Sequence, residues 1–217
     1  AEYENEAYET DDGWLNSYTR SQDFRSLAVK SLSEHWSVGG YASARASSYR
    51  NLDFSYNIAP AIEFNVFPYS ESTYREFRFL YRLGYTSSWY LEETVYDKMQ
   101  ENLFNENLTA TYEIKERWGS IETSLEGSHY FHDTSLNQLE LRCEINIRLM
   151  EGLSLDLNGR VSQVHDQVSL PKKGATQEEI LLNLKELATQ YDYRVSIGLR
   201  YTFGSIYSNV VNPRFGR

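Results

Sequence analysis

Apolar and polar residues alternate one by one along most of the chain. In the clearest segment, one strand face would carry Tyr191, Tyr193, Val195, Ile197, Leu199, Tyr201 and Phe203, and the other Asp192, Arg194, Ser196 and Arg200. Successive side chains of a β-strand point to opposite faces, so this strand has one apolar and one charged face. The same alternation over 54–66, 76–89, 139–149 and 153–161 predicts an all-β protein.

The lengths of the strands and of their connections indicate a membrane barrel rather than a soluble one. The predicted strands run to about 13 to 17 residues, whereas strands of globular proteins most often have about five or six. Such lengths suit tilted strands that cross a bilayer and project from it. Short connections at 34–36, 68–73, 116–119 and 150–152 alternate with longer ones that include 91–101 and 167–190, as periplasmic turns alternate with extracellular loops.

These patterns predict a closed antiparallel up-and-down transmembrane β-barrel of about ten strands. Nine strands are readable from Trp14 to Phe203, and bacterial barrels normally have an even number. Residues 1–10 supply a tenth strand before the turn signal Asp11-Asp12-Gly13, or else the segment 1–13 is an acidic tail. We predict one barrel domain over 1–203 and a periplasmic tail or plug over 204–217. Pro60 interrupts a predicted strand, where we expect a bulge.

Composition narrows the possible functions. A net charge of −10 argues against nucleic acid as a partner. No run of about 18 apolar residues is present, so no transmembrane helix is predicted. The 18 Tyr, 4 Trp and 10 Phe residues suit the aromatic girdles of a membrane barrel. We predict no cofactor and no metal site, and we expect the single cysteine, Cys143, to act as a small hydrophobe on the apolar face.

Four residues near the end of the chain carry a resemblance to a known class of proteins. Ser196, Gly198, Tyr201 and Phe203 have the spacing polar-x-Gly-x-x-aromatic-x-aromatic. This spacing resembles the C-terminal assembly signal of Gram-negative outer-membrane β-barrels, although 14 residues follow Phe203 here instead of the chain end. The resemblance implies a bacterial outer-membrane location, contact with outer-membrane lipid and lipopolysaccharide, and recognition by the barrel-assembly machinery. Both termini would be periplasmic if the strand count is even.

The charged face of the predicted strands carries residues of both signs. Isolated buried charges are costly, so we expect these side chains to meet and pair across the barrel interior and to fill it. A narrow water-filled pore for small solutes is the alternative.

Histidines and aspartates at two strand ends are the candidates for catalysis. His132 and Asp133 end one predicted strand, and His165 and Asp166 end another two strands away. A His-Asp pair can act as a general base. By strand parity, however, His129 and His165 face outward while His132 faces inward, so the groups do not converge. We therefore predict no catalytic residues, and a hydrolase acting at the extracellular rim through these four residues remains an alternative.

The loop 169–190 has the pattern of a short amphipathic helix. Thr176 and Glu179 form a capping box, and Ile180, Leu181, Leu184 and Leu187 follow at helical spacing. This stripe either closes over the barrel mouth as a lid or docks another outer-membrane protein. The function that we predict is a non-enzymatic structural or accessory subunit that presents extracellular loops to a partner, and an outer-membrane protein complex is the candidate partner.

Overall fold

A computed structural model describes residues 2–10, 13–48, 50–165, 168–169, 171 and 190–203. The described chain is all-β, as predicted. Its strands are β1 (Glu2–Thr10), β2 (Gly13–Ser31), β3 (Trp36–Ser47), β4 (Leu52–Asn65), β5 (Arg75–Tyr90), β6 (Gln100–Glu116), β7 (Gly119–Tyr130), β8 (Asn137–Met150), β9 (Leu153–Val164) and β10 (Gln190–Tyr201). A 3-10 helix at Tyr69–Glu71 is the one helical element of these ranges, and no described helix could cross a membrane.

The ten strands form one sheet in which every strand pairs antiparallel with its neighbours in the sequence. This confirms the predicted up-and-down order. The predicted helix with Ile180, Leu181, Leu184 and Leu187, the tail or plug at 204–217, and Asp166 lie outside the described residues.

The connections gather at the two ends of the sheet. We call the end with 32–35, 66–74, 117–118 and 151–152 the turn end, and the opposite end, where β1, β3, β5, β7 and β9 finish, the loop end. The turn-end connection 66–74 is as long as the loop-end connection 91–99. The predicted difference in length between the two ends therefore holds for the tight turns at 117–118 and 151–152, but it does not hold for every connection.

The first strand, at residues 2–10, is formed by the segment for which a strand and an acidic tail were both considered. β1 pairs only with the first half of β2, from Gly13 to Ser21, whereas β3 pairs with the second half, from Ser21 to Ser31. β1 therefore adds a tenth strand only to the half of the sheet that lies near the loop end. Nine strands, β2 to β10, make up the rest of the sheet.

The sheet is not closed in the described part of the chain, which corrects the prediction of a closed barrel. No ladder joins β10 to β1 or to β2 there, so β1 and β10 are the edge strands of the sheet, and the second half of β2, beyond the β1 ladder, is also a free edge. β1 runs antiparallel to β10, whereas β2 and β10 both run from the loop end to the turn end. Two strands that run in the same direction cannot form the antiparallel ladder that joins every other pair of neighbours.

Pro60 does not cause the predicted bulge. The β4–β5 register is the same on both sides of it, with Ile58 opposite Tyr85 and Ala61 opposite Arg82. The irregularities of β4 lie near its beginning instead, between Leu52 and Phe54 on the β5 side. The side chain of Pro60 stands opposite Gly40 of β3, which leaves space for its ring.

The two faces of the sheet differ sharply in chemistry and in exposure. Cross-strand pairs such as Asn57–Thr86, Arg82–Asn107 and Glu126–Glu140 define the polar face. Pairs such as Ile62–Tyr81 and Leu125–Leu141 define the apolar face. On the polar face Glu140 and Ser162 are only 3% and 1% exposed, whereas on the apolar face of the same two strands, β8 and β9, Leu141 and Val161 are 44% and 52% exposed. The sheet thus exposes its large apolar side chains and shelters polar ones, the reverse of a soluble protein.

Candidate functional site

The polar face carries a hydrogen-bonded network that spans three strands. Arg82 of β5 donates to Oδ1 of Asn107 on β6 at 2.6 Å and forms an ion pair with Oε1 of Glu126 on β7 at 3.1 Å. The amide of Asn107 also donates to Oε1 of Glu126, at 2.6 Å. The guanidinium carbon of Arg82 lies 5.5 Å from the ring centre of Tyr41. These contacts hold the Arg82 charge close to the sheet.

A second network surrounds the buried carboxylate of Glu140 on β8. Its Oε2 accepts from Nη2 of Arg160 at 2.6 Å and from Nε of Arg160 at 2.9 Å, and its Oε1 contacts Nε of Arg142. Two arginines thus neutralise one carboxylate that is almost fully withdrawn from solvent. The arginines themselves are 55% and 39% exposed, so the cluster opens towards the space in front of the polar face.

The described ion pairs join residues of one strand or of adjacent strands and follow the wall of the sheet, and pairing across a barrel interior stays a prediction because the described sheet is open. The other polar-face pairs, all within one strand or between adjacent strands, are Asp23–Arg25, Asp23–Arg45, Glu76–Arg78, Glu113–Lys115 and Asp156–Arg200. Each arginine or lysine of these pairs has its carboxylate on its own or the next strand. A cleft of about 510 Å³ therefore stays open in front of Tyr41, Arg82 and Glu126.

Four glutamates form a transverse row on the polar face. Glu76, Glu113, Glu122 and Glu144 are successive cross-strand partners on β5 to β8. Glu76 and Glu113 have basic partners on their own strands, at 3.1 and 2.6 Å, but no ion pair of the described part involves Glu122 or Glu144. Like charges directly opposite each other are destabilising. The row borders a cleft of about 220 Å³ and makes it electronegative.

The predicted catalytic candidates are not brought together. His132 and Asp133 lie in the connection between β7 and β8, and His165 follows β9. Among the residues with described positions, no hydrogen bond or ion pair joins His165 to either of them. Asp133 instead accepts hydrogen bonds from the hydroxyl of Ser135 at 2.6 Å and from its backbone N–H at 2.9 Å, and these bonds lower the pKa of Asp133. Hydrogen bonds from a residue two positions further along the chain are typical of a turn.

A different histidine has a carboxylate partner. Nε2 of His129 lies 2.8 Å from Oε1 of Glu106, and Oε2 of Glu106 accepts from the Tyr81 hydroxyl at 2.5 Å. All three residues are on the apolar face, and His129 meets the ring of Phe131 edge-on at 5.8 Å. Sequence reasoning missed this cluster because it depends on the register of β5, β6 and β7. No group of three acidic, histidine or cysteine side chains in the described ranges is placed to hold a metal ion.

Three loop-end connections are joined through Asn51. Its side-chain amide donates to the carbonyl oxygens of Glu92, at 2.9 Å, and of Ser169, at 3.2 Å, and its Oδ1 accepts from the Glu92 N–H at 2.8 Å. Asn51 has a φ of 56°, a left-handed conformation that asparagine tolerates better than most residues. Thr94, fully buried, pairs with Pro171 nearby. We call residues 51, 91–99, 169 and 171 the loop platform.

Aromatic rings form two belts on the apolar face. The turn-end belt contains Trp36, Phe64, Phe77, Phe79 and Tyr112, and the loop-end belt contains Phe54, Tyr56, Tyr85, Trp89 and Phe104. From Phe54 to Phe64, β4 extends about 33 Å along its own direction. At a strand tilt of about 40°, this length corresponds to a belt separation of about 25 Å.

The residues of the assembly-signal spacing lie on the free edge strand β10. Ser196 and Gly198 are on the polar face, opposite Asn158 and Asp156. Tyr201 and Phe203 are on the apolar side, with stacked rings 6.1 Å apart. The backbone N–H of Thr202, between them, donates to the carbonyl of Gly152, so the β8–β9 turn holds the chain just beyond the end of β10.

Comparison of the chain with protein-family models, with curated proteins and with solved structures finds no match. The function proposed below is therefore based on the geometry of the chain itself.

Proposed function

We propose that the chain is an outer-membrane β-barrel protein whose apolar face contacts lipid. The observation that carries the proposal is the inverted exposure of the two faces, with Leu141 and Val161 exposed and Glu140 and Ser162, on the same two strands, sheltered. If β4 has the tilt of about 40° that is usual in barrels, its two belts would lie about 25 Å apart, which is the height of the lipid-facing band of bacterial barrels. The Ser196 to Phe203 spacing, on the last described strand, agrees with this class of protein.

The stagger of the sheet supports closure around a barrel axis. A row of directly opposite residues can be followed across the sheet from one ladder to the next. It begins at Val29, near the end of β2, passes through Ala61, Asn107 and Gln138, and reaches Gln190, the first residue of β10. Ten strands at tilts of 35 to 45° need a total stagger of roughly 10 to 14 residues. That stagger would bring the free second half of β2 level with Val195–Tyr201 of β10. Closure can use β1, which runs antiparallel to β10, whereas the second half of β2 could meet β10 only in parallel or through an additional antiparallel segment.

Within this class, the loop platform favours a structural or accessory subunit that presents its loops to a partner. The hydrogen bonds of Asn51 order three connections at the end of the protein that would face the cell exterior. A pre-ordered surface loses less conformational entropy when a partner binds. The partner class that we propose is another outer-membrane protein.

A photo-crosslinking amino acid at Tyr96, in the loop platform, tests this role in native membranes. We expect one defined protein adduct at Tyr96, its loss in Asn51→Ala, and none at the control position Tyr69, an exposed tyrosine at the turn end. Adducts with lipid alone at both positions would contradict the accessory role.

A narrow pore for small solutes is the second candidate, and two observations favour it. The polar-face ion pairs stay along the wall, and clefts of about 510 and 220 Å³ lie in front of it. Rings of acidic side chains favour cations in channels, so a pore lined by the glutamate row would prefer cations. Conductance in planar bilayers tests this: the double variant Glu122→Gln, Glu144→Gln should reduce cation preference, and no conductance in the native chain would exclude the pore.

A further inference from the structure

The cleft of about 510 Å³ on the polar face has a floor of small residues. Ser43 of β3, Ala59 of β4 and Gly84 of β5 form this floor. A Cβ at Gly84 would collide with the side-chain amide of Asn105, so the glycine lets that amide lie against the sheet. The volume falls within the range of roughly 300 to 1,000 Å³ that small-molecule sites occupy. We call this space, which lies in front of Tyr41, the central cleft.

The charged side chains of the central cleft neutralise one another. Arg25, Arg82 and Glu126 are the charged residues that line it. Arg82 forms an ion pair with Glu126, and Arg25 forms one with Asp23. A charged ligand would therefore lose its water without gaining a free partner of opposite sign, which is costly. The electrostatics of the cleft favour a neutral ligand.

Several uncharged polar side chains of the lining are free to bind a ligand. All of them are half-buried, and in the described part of the chain none has a hydrogen-bond partner. Amides and hydroxyls both donate and accept hydrogen bonds, so a complementary ligand has groups that do the same. A phosphate only accepts and an ammonium only donates, so each would match half of these groups. The side chains are those of Tyr41, Ser43, Asn105, Ser128 and Gln138.

We infer that the central cleft binds a neutral saccharide of one or two rings. Every sugar hydroxyl donates and accepts, as the free amides and hydroxyls of the lining require. The ring of Tyr41 adds an apolar surface on which the C–H groups of a sugar ring can pack. Barrels of about eight strands can hold one small ligand in their interior. The inference rests on the proposed function in one respect, because the polar face has to contact water.

Calorimetric titration of the full chain tests the inference, in a detergent without sugar headgroups. The probes are glucose, galactose and N-acetylglucosamine, each compared with its own 6-phosphate. We expect at least one of the neutral sugars to bind, and its 6-phosphate to bind at least several-fold more weakly. Absence of binding for all three neutral sugars, or equal affinity for a sugar and its phosphate, would overturn the inference.

A matched pair of glutamine variants locates the site. Gln138→Leu should weaken binding of the neutral sugar by roughly five- to ten-fold, as expected for the loss of one hydrogen bond. Gln163→Leu is the control, because Gln163 pairs with Leu139 on the apolar face and makes the same chemical change outside the cleft. If the two variants bind the sugar equally well, the central cleft is not the site.

NMR of the native chain gives a second measurement that does not depend on a variant that folds. The side-chain amide signals of Asn105 and Gln138 should shift as the bound sugar is added, whereas that of Gln163 should stay in place. Unchanged signals of Asn105 and Gln138 would overturn the inference. Lipid contact at Leu141 is measured separately, so the proposed function can hold while this inference fails.

Discussion

Glu140 shows how a single residue of the polar face keeps a buried charge. Its side chain is 4% exposed and has Arg160 and Arg142 as partners. A buried carboxylate is tolerated only when opposite charges and hydrogen bonds replace its water. Glu144 lies on the same strand and face, but it is exposed and has no ion pair among the described contacts. The two glutamates therefore form a matched pair for measurement.

We expect Glu140→Gln to lower the free energy of unfolding by about 1–3 kcal/mol, because two arginines lose their charged acceptor. Glu144→Gln should change it by less than about 0.5 kcal/mol or should stabilise the protein, since it relieves repulsion in the glutamate row. Urea unfolding of the protein in lipid vesicles measures both. Equal effects of the two substitutions would show that the arginine cluster does not stabilise the sheet.

Asp133 gives a prediction about pH in the connection between β7 and β8. The hydrogen bonds from Ser135 place the pKa of Asp133 below 3.8, its ordinary value. Because the folded-state pKa is the lower one, the stabilisation is complete above pH 3.8 and is lost as the pH falls through the folded-state pKa. NMR titration of the Asp133 carboxyl should show the pKa rise in Ser135→Ala and stay in place in the control Thr134→Ala. An unchanged pKa in Ser135→Ala would contradict this explanation.

Among the structural elements, the β8–β9 turn depends on a glycine. Gly152 has a φ of 77°, and a Cβ there would lie 2.5 Å from the carbonyl oxygen of Thr202 at the end of β10. The turn therefore excludes a side chain for two reasons, its left-handed backbone and the close approach of β10.

We expect Gly152→Ala to destabilise the sheet by about 1–3 kcal/mol. Gly159→Ala in β9 is the control, because no atom lies within 4 Å of a Cβ at that position. The measurement is again urea unfolding in vesicles. If the two alanine substitutions cost the same, the contact with Thr202 is not a constraint.

The strand pattern was predictable where alternation is regular. In β4 to β10 the residues assigned to the apolar and polar faces from the sequence, such as Ile62 and Arg82, lie on those faces in the structure. The alternation is poorest in β2, and the physical reason is now visible. Leu27 and Val29 lie on the polar face, whereas Ser26 and Lys30 lie on the apolar face.

Features that depend on register could not be predicted from one sequence. The glutamate row requires that Glu76, Glu113, Glu122 and Glu144 fall opposite one another, and a shift of one residue would separate them. The contact between Glu106 and His129 depends on the β6–β7 register in the same way. Asn51 gave no sequence signal, because its partners Glu92 and Ser169 are brought near it only by the folded loops.

For the molecule as a whole, the proposed function depends on which medium each face of the sheet contacts. The two aromatic belts and the exposed aliphatic residues between them describe a band suited to lipid, and the arginine and glutamate networks describe a wall suited to water. The open edges of β2 and β10 fit the same description, since barrel closure would remove both of them.

The accessibility of spin labels in lipid vesicles tests this claim most directly. Nitroxides at Leu141 and Leu157 on the apolar face, in a Cys143→Ser background, should be protected from a water-soluble relaxation agent and accessible to oxygen. Labels at Glu144 and Ser196 on the polar face should show the opposite preference. If Leu141 and Leu157 prove accessible to the aqueous agent, the apolar face does not contact lipid, and the proposed membrane barrel is wrong.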